Sequence, residues 1–233
     1  MLFRAGAPRW LVVSYSPDGK RRWIHRSSPG GVDDLTIAPG GTLFAAGGGA
    51  DAGEAFGLLR AYSTAGVLRY GRRLRSTRSG LATTLLYVRL DPSGDVVCAG
   101  DTNESASFGS YLSDYLVARY DSRGTCQFSD TWAGDSGLED WVYGLECAAD
   151  GSIYVCGESN SGNGYSRLVV VPYNASGARG EPMIDQAPPY DEDSCASALS
   201  PLGPVVVGSR TIDLDGRIHA LVAQFPLLPP AEP

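Results

Sequence analysis

Four carboxylates in glycine- and serine-rich segments are the residues best suited to chemistry: Asp101, Asp140, Glu158 and Asp193. Trp141, Tyr143 and Tyr190 flank two of them. Two acids at suitable separation can share general acid and base work, as in glycoside hydrolysis. Acids beside aromatic rings can also seat a sugar or peptide, the ring offering a stacking face and the carboxylate a polar acceptor. Asp213-Leu-Asp215-Gly216 has the look of a calcium-loop fragment, although no upstream ligand and no far-end glutamate complete it. Calcium through Asp213 and Asp215 is the one metal this pattern suggests, and no other cofactor is implied.

Other chemistries lack their residues. The two histidines, His25 and His219, fall in apolar strand patterns away from the acidic segments, which argues against a Ser-His-Asp triad or a His-ligated metal. Gly47-Gly-Gly49 follows a strand pattern with no helix after it, so it does not read as a phosphate loop. A net charge of −7 gives no attraction to nucleic acid or an anionic membrane, and neither is an expected partner. The five cysteines form no C-x-x-C pair; Cys98, Cys147 and Cys156 sit in apolar runs and read as small buried hydrophobes. As written, the chain carries no secretory signal pattern and no 18-residue apolar run, so a cytoplasmic location is expected, or an extracellular one if it is part of a longer protein.

The elements that must position these side chains come from a repeat. An apolar run ends in an aromatic, with glycine four residues later: Leu11 to Tyr15 with Gly19, Leu58 to Tyr62 with Gly66, Leu116 to Tyr120 with Gly124, and Leu168 to Tyr173 with Gly177. A fifth copy begins at Ala220 to Phe225, and the aromatics are spaced by 47, 58, 53 and 52 residues. Trp23, Tyr70 and Phe128 stand four residues past the glycine, and Glu181 breaks this pattern in the fourth copy. Between these motifs lies a second one, an apolar strand, a tight turn and a β-branched run closing on Gly47, Gly100, Gly157 or Gly208. Four short strands per unit of about 50 residues cannot bury both faces alone, and radial stacking of such units gives a β-propeller.

Asp150-Gly-Ser-Ile-Tyr-Val-Cys-Gly157 and Asp114-Tyr-Leu-Val-Ala-Arg-Tyr-Asp-Ser-Arg-Gly124 resemble the SBBP-type propeller repeats common in bacterial, often surface-associated, proteins. The resemblance runs from Leu2 to Phe225, implies the fold, and brings no catalytic residue of its own. Copy four departs from it, with Pro201-Leu-Gly-Pro204 in place of the Asp-x-Gly turn.

Naming the strands of a blade A to D from the channel outward, the Tyr-bearing strand is C and the Gly-ending strand is B. Leu2 to Gly6 resembles the end of a B strand, so the chain reads as five blades, the first lacking its inner strand and the last its outer one. A four-bladed ring or part of a larger one are the alternatives. Residues 1–225 form one domain, and 226–233 a Pro-rich tail. The A–B and C–D turns are short, whereas the B–C and D–A loops are long, variable and acidic, and function gathers on such loops. Asp140 and Asp193 stand at matching places before strand A, where each is either a ligand or a cap for backbone N–H groups. The expected function is a non-enzymatic binding or scaffold propeller presenting Asp101, Asp140, Trp141, Tyr143, Glu158, Tyr190 and Asp193 to a small molecule, glycan or protein. The alternative is a carboxylate- or calcium-dependent hydrolase or lyase acting on a carbohydrate or lactone. Incomplete terminal blades also invite self-association through their edges.

Overall fold

The computed structural model describes residues 10–28, 30–51, 54–75, 81–104, 112–162, 165–185, 191–211 and 218–228. They form antiparallel strands in five sheets, each sheet a meander of consecutive strands. The first is the hairpin of β1 (Trp10–Tyr15) and β2 (Arg21–Ser27). The second joins β3 (Gly31–Ile37), β4 (Leu43–Asp51), β5 (Glu54–Tyr62) and β6 (Leu68–Leu74). The third joins β7 (Leu81–Leu90), β8 (Val96–Glu104), β9 (Ser113–Tyr120) and β10 (Cys126–Trp132). The fourth joins β11 (Asp140–Cys147), β12 (Ile153–Asn160), β13 (Ser166–Tyr173) and the two-residue β14 (Met183–Ile184). The fifth joins β15 (Asp191–Ser200), β16 (Gly203–Thr211) and β17 (Ile218–Gln224). Each sheet is one propeller blade. The described order, C and D at the start and A, B and C at the end, agrees with the sequence reading, and the B strand expected at Leu2 to Gly6 lies outside the described residues.

Both repeated glycines have a tertiary cause. Every inner strand carries one extra residue, with the register slipping between Val32 and Asp34, Leu85 and Tyr87, Val142 and Gly144, and Ser194 and Ala196. Such a bulge re-aims the backbone. Its carbonyl leans onto the B strand: a Cβ on Gly100 would lie 1.9 Å from the Thr84 carbonyl oxygen, and one on Gly157 2.0 Å from that of Trp141. Only glycine fits there.

The C–D turn glycine serves the neighbouring blade instead. A Cβ on Gly124 would strike the Tyr70 ring at 2.7 Å and one on Gly177 the Phe128 ring at 2.4 Å, so the outer aromatic of each blade lies against the turn of the next. The fourth copy, which has Glu181 for that aromatic, is followed by a fifth copy that has Pro229 for that glycine. Both residue types of the contact are thus absent from the sequence together.

Strand C alternates between its two neighbours, as the two-residue period requires. Val97, Ala99, Tyr115 and Val117 of the third blade pack on Val142, Leu145, Ile153, Val155, Val169 and Tyr173 of the fourth. On its other side Val96, Cys98, Leu116, Ala118 and Tyr120 pack on Phe44, Ala46, Leu59 and Ala61 of the second. The core is thus a series of apolar layers between blades. Beyond Gln224 the backbone N–H of Leu228 donates to the Tyr154 hydroxyl at 2.9 Å. Among the described residues no helix is long and apolar enough to cross a membrane.

Candidate functional site

In the second, third and fourth blades the residue after the B-strand glycine faces the bulge of the following blade, and in two of them it is an acid. Asp101 accepts the backbone N–H of Val142 at 2.9 Å, and Glu158 that of Ser194 at 3.1 Å. Both donors sit at the bulge, where the inner strand's own ladder is interrupted. The two carboxylates are therefore clasps from one blade to the next. Both are buried, and burial pushes each up to about 7 against the lowering pull of its backbone donor. In the second blade Gly48 holds this place beneath Thr84. That junction is tied by Asp34, which accepts from the Val88 N–H at 3.0 Å and from Arg89 at 2.6 Å.

Asp140 is fully buried and accepts the Gly134 N–H at 2.6 Å, pinning the loop that enters its strand. Burial raises its carboxyl to about 6, with the Gly134 N–H and Ser159 pulling the other way. The bond of Asp140 to Gly134 is the kind of backbone contact that a cap at this place makes. The register also moves its counterpart by one residue. Val142 pairs with Gly157 and Ser194 with Gly208, so Asp140 corresponds to Glu192 rather than to Asp193. Glu192 is buried, accepting the Leu168 N–H at 3.0 Å and the Arg210 Nε at 2.7 Å, while Arg210 also reaches Asp185 at 2.7 Å. Asp193 lies on the exposed side of β15, where the Ser209 hydroxyl donates to it at 3.4 Å. Sequence matching missed Glu192 because the shortened turn of copy four blurred the count.

Trp141 and Tyr143 alternate with buried residues along β11 and stay half-exposed. Tyr143 is the bulge residue itself, and its hydroxyl is raised to about 12 by burial first and then by Glu158, Asp101 and Asp193. The structure thus gathers Asp101, Tyr143, Glu158 and Asp193 at the junctions of the last three blades. Trp132, near the acidic segments in sequence, is instead buried edge-on against Tyr115, with ring centres 5.1 Å apart. Tyr190, Asp213 and Asp215 lie outside the described residues. Among the described residues no three His, Cys, Asp or Glu side chains converge in a way that would hold a metal ion.

A cavity of about 470 Å³ opens on the opposite, short-turn face between the third and fourth blades, lined by Asp91, Ser93, Asp95, Arg119, Asp150 and Ala175 among others. Asp91 there is occupied by its own turn, accepting the Ser93 and Asp95 N–H groups at 2.9 and 3.0 Å. No motif signals this cavity, because turns from two repeats build it.

This architecture defines the chain as a β-propeller. It is similar to a solved structure described as the Dos1 propeller, with a TM-score of 0.56 at 13% identity over 86% of this chain, and it spans about half that protein, 48%. An endo-arabinase from Bacteroides thetaiotaomicron VPI-5482 also matches, with a TM-score of 0.43 at 11% identity, over 90% of this chain and 81% of that one. No family model and no curated protein matches the sequence.

Proposed function

We propose that the chain is a binding or scaffold propeller without catalytic machinery of its own, presenting Trp141, Tyr143 and Asp193 to a ligand or protein partner. The observation that supports this reading is the fate of the carboxylates. Asp101, Asp140 and Glu158, three of the acids that the sequence offers to a ligand, are buried and already accept backbone N–H groups. A general acid or base must reach the substrate atom it serves. Residues that join blades are poorly placed to do so, whereas half-exposed rings beside an exposed acid suit recognition.

The test pairs an activity measurement with a binding one. Wild type and the Asp101→Asn/Glu158→Gln variant are incubated with arabinan and other polysaccharides and with simple lactones, and product release is followed. No turnover is expected from either. Turnover by wild type that disappears in a folded double variant would replace this reading with the hydrolase one. In parallel, tyrosine and tryptophan fluorescence is titrated with an oligo-arginine peptide and with neutral oligosaccharides. A saturable change with either probe, reduced in Tyr143→Ala and Asp193→Asn, is the expected result; a response that ignores both substitutions counts against this face.

A further inference from the structure

The same strand-C positions are buried in the interior blades and exposed at the two ends of the arc. Val117 and Val170 face the following blade and are 1% and 0% exposed, whereas Val222, their counterpart in the fifth blade, is 69% exposed. Its register partner Val207 and nearby Ile218 are exposed as well. On the other side of the repeat, Tyr62, Tyr120 and Tyr173 face the preceding blade and are 0%, 3% and 1% exposed, whereas Tyr15 is 60% exposed and Leu11 beside it 48%. One end of the molecule thus shows the forward half of the blade-to-blade interface, and the other end shows the backward half.

We propose that these two faces bind each other between copies of this chain, head to tail, with the Leu11 and Tyr15 face of one copy seated on the Val207, Ile218 and Val222 face of another. Three observations select this occupant. The interface is a continuation of one that the chain builds repeatedly within itself, so the strand-C part of its shape is already present on both sides. The two halves do not bury one another within a single copy, since both stay exposed. Their charges are also complementary: the β1–β2 hairpin carries Lys20, Arg21, Arg22 and Arg26 against the single acid Asp18, while β15 shows Asp193 on its exposed side. A heterologous contact of this kind closes into a ring when its rotation permits and otherwise extends as a filament.

Analytical ultracentrifugation of the full chain, from nanomolar to high micromolar, tests the contact. Wild type is expected to self-associate with concentration. Val222→Asp blocks one face and Tyr15→Arg the other, and each alone should weaken association at least about tenfold, the loss of one central interface anchor. An equimolar mixture of the two variants keeps one intact pair of faces, so it should recover a one-to-one complex that neither forms alone. Val67→Asp, at an exposed turn outside both faces, should assemble as wild type does. A wild type that stays monomeric throughout, a single variant that assembles normally, or a mixture that fails to pair each overturns the proposal. Thermal melts confirm that the variants fold; Val222→Thr and Tyr15→Ser carry the same comparison should either charged variant unfold.

Discussion

Tyr15 and Tyr120 occupy the same place in the same strand of the same repeat, yet one projects into solvent and the other is sealed between blades. Gly19 and Gly124 form the same pair of opposites. Both turn with φ near +80°, but a Cβ on Gly19 would meet nothing within 4 Å, whereas one on Gly124 would enter the Tyr70 ring. Interior and terminal blades share their local structure and differ in having a neighbour on each side. A repeat position therefore has no fixed energetic worth in this molecule, since most of its contribution comes from the adjoining blade.

The largest effect expected from this contrast is at the tyrosines. Tyr120→Ala should cost about 3–5 kcal/mol, as for a large buried ring, while Tyr15→Ala should cost less than about 1 kcal/mol. Urea unfolding followed by fluorescence compares them, and equal losses would break the distinction between interior and end.

Next come the turn glycines. Gly19→Ala carries only the left-handed backbone penalty of roughly 1–2 kcal/mol. Gly124→Ala adds a collision worth about 1–3 kcal/mol more. Thermal melts of Gly124→Ala in a Tyr70→Ala background sharpen the point, because removing the ring should return the glycine substitution to the smaller cost.

The clasps give a third, smaller contrast. Asp101→Ala leaves the Val142 N–H without its acceptor and should cost about 1–3 kcal/mol. Ser209→Ala, at the matching position of the last blade, should be close to neutral. Asp101→Asn keeps an acceptor oxygen and loses only the charge. The sign with pH follows from the raised values of Asp101 and Glu158: between the ordinary carboxylate range and about 7 the folded state binds more protons than the unfolded state, so stability falls as pH rises through that window. Urea midpoints measured from pH 4 to pH 8 should decline for wild type and decline less steeply in Asp101→Asn/Glu158→Gln, where the raised Asp140 carboxyl keeps part of the slope. An unchanged slope would mean that these carboxyls titrate as exposed ones do.

The smallest effect is at Asp193. It is exposed on the terminal face, and Asp193→Asn should shift stability by no more than about 0.5 kcal/mol by the same urea assay.

The sequence by itself determined the propeller and the strand order within a blade, and it favoured five blades over a four-bladed ring or part of a larger one. Those features rest on local signals: two-residue alternation and turns such as Asp91-Pro-Ser-Gly94, whose geometry is set within a few residues. It also marked Asp101, Asp140, Trp141, Tyr143, Glu158, Tyr190 and Asp193 as a set worth attention, since acids and aromatics gather where long loops were expected; Asp101, Asp140, Glu158 and Asp193 lie in strands instead. Only the tertiary structure decided what the acids do. Asp101 meets Val142 and Glu158 meets Ser194 across 41 and 36 residues of chain, and each contact depends on an inner-strand bulge that no residue type announces. The bulge changes which residues face which blade, so a one-residue difference exchanged the roles of Glu192 and Asp193. Burial has the same origin, because an identical motif is covered or bare according to the neighbour that packing supplies.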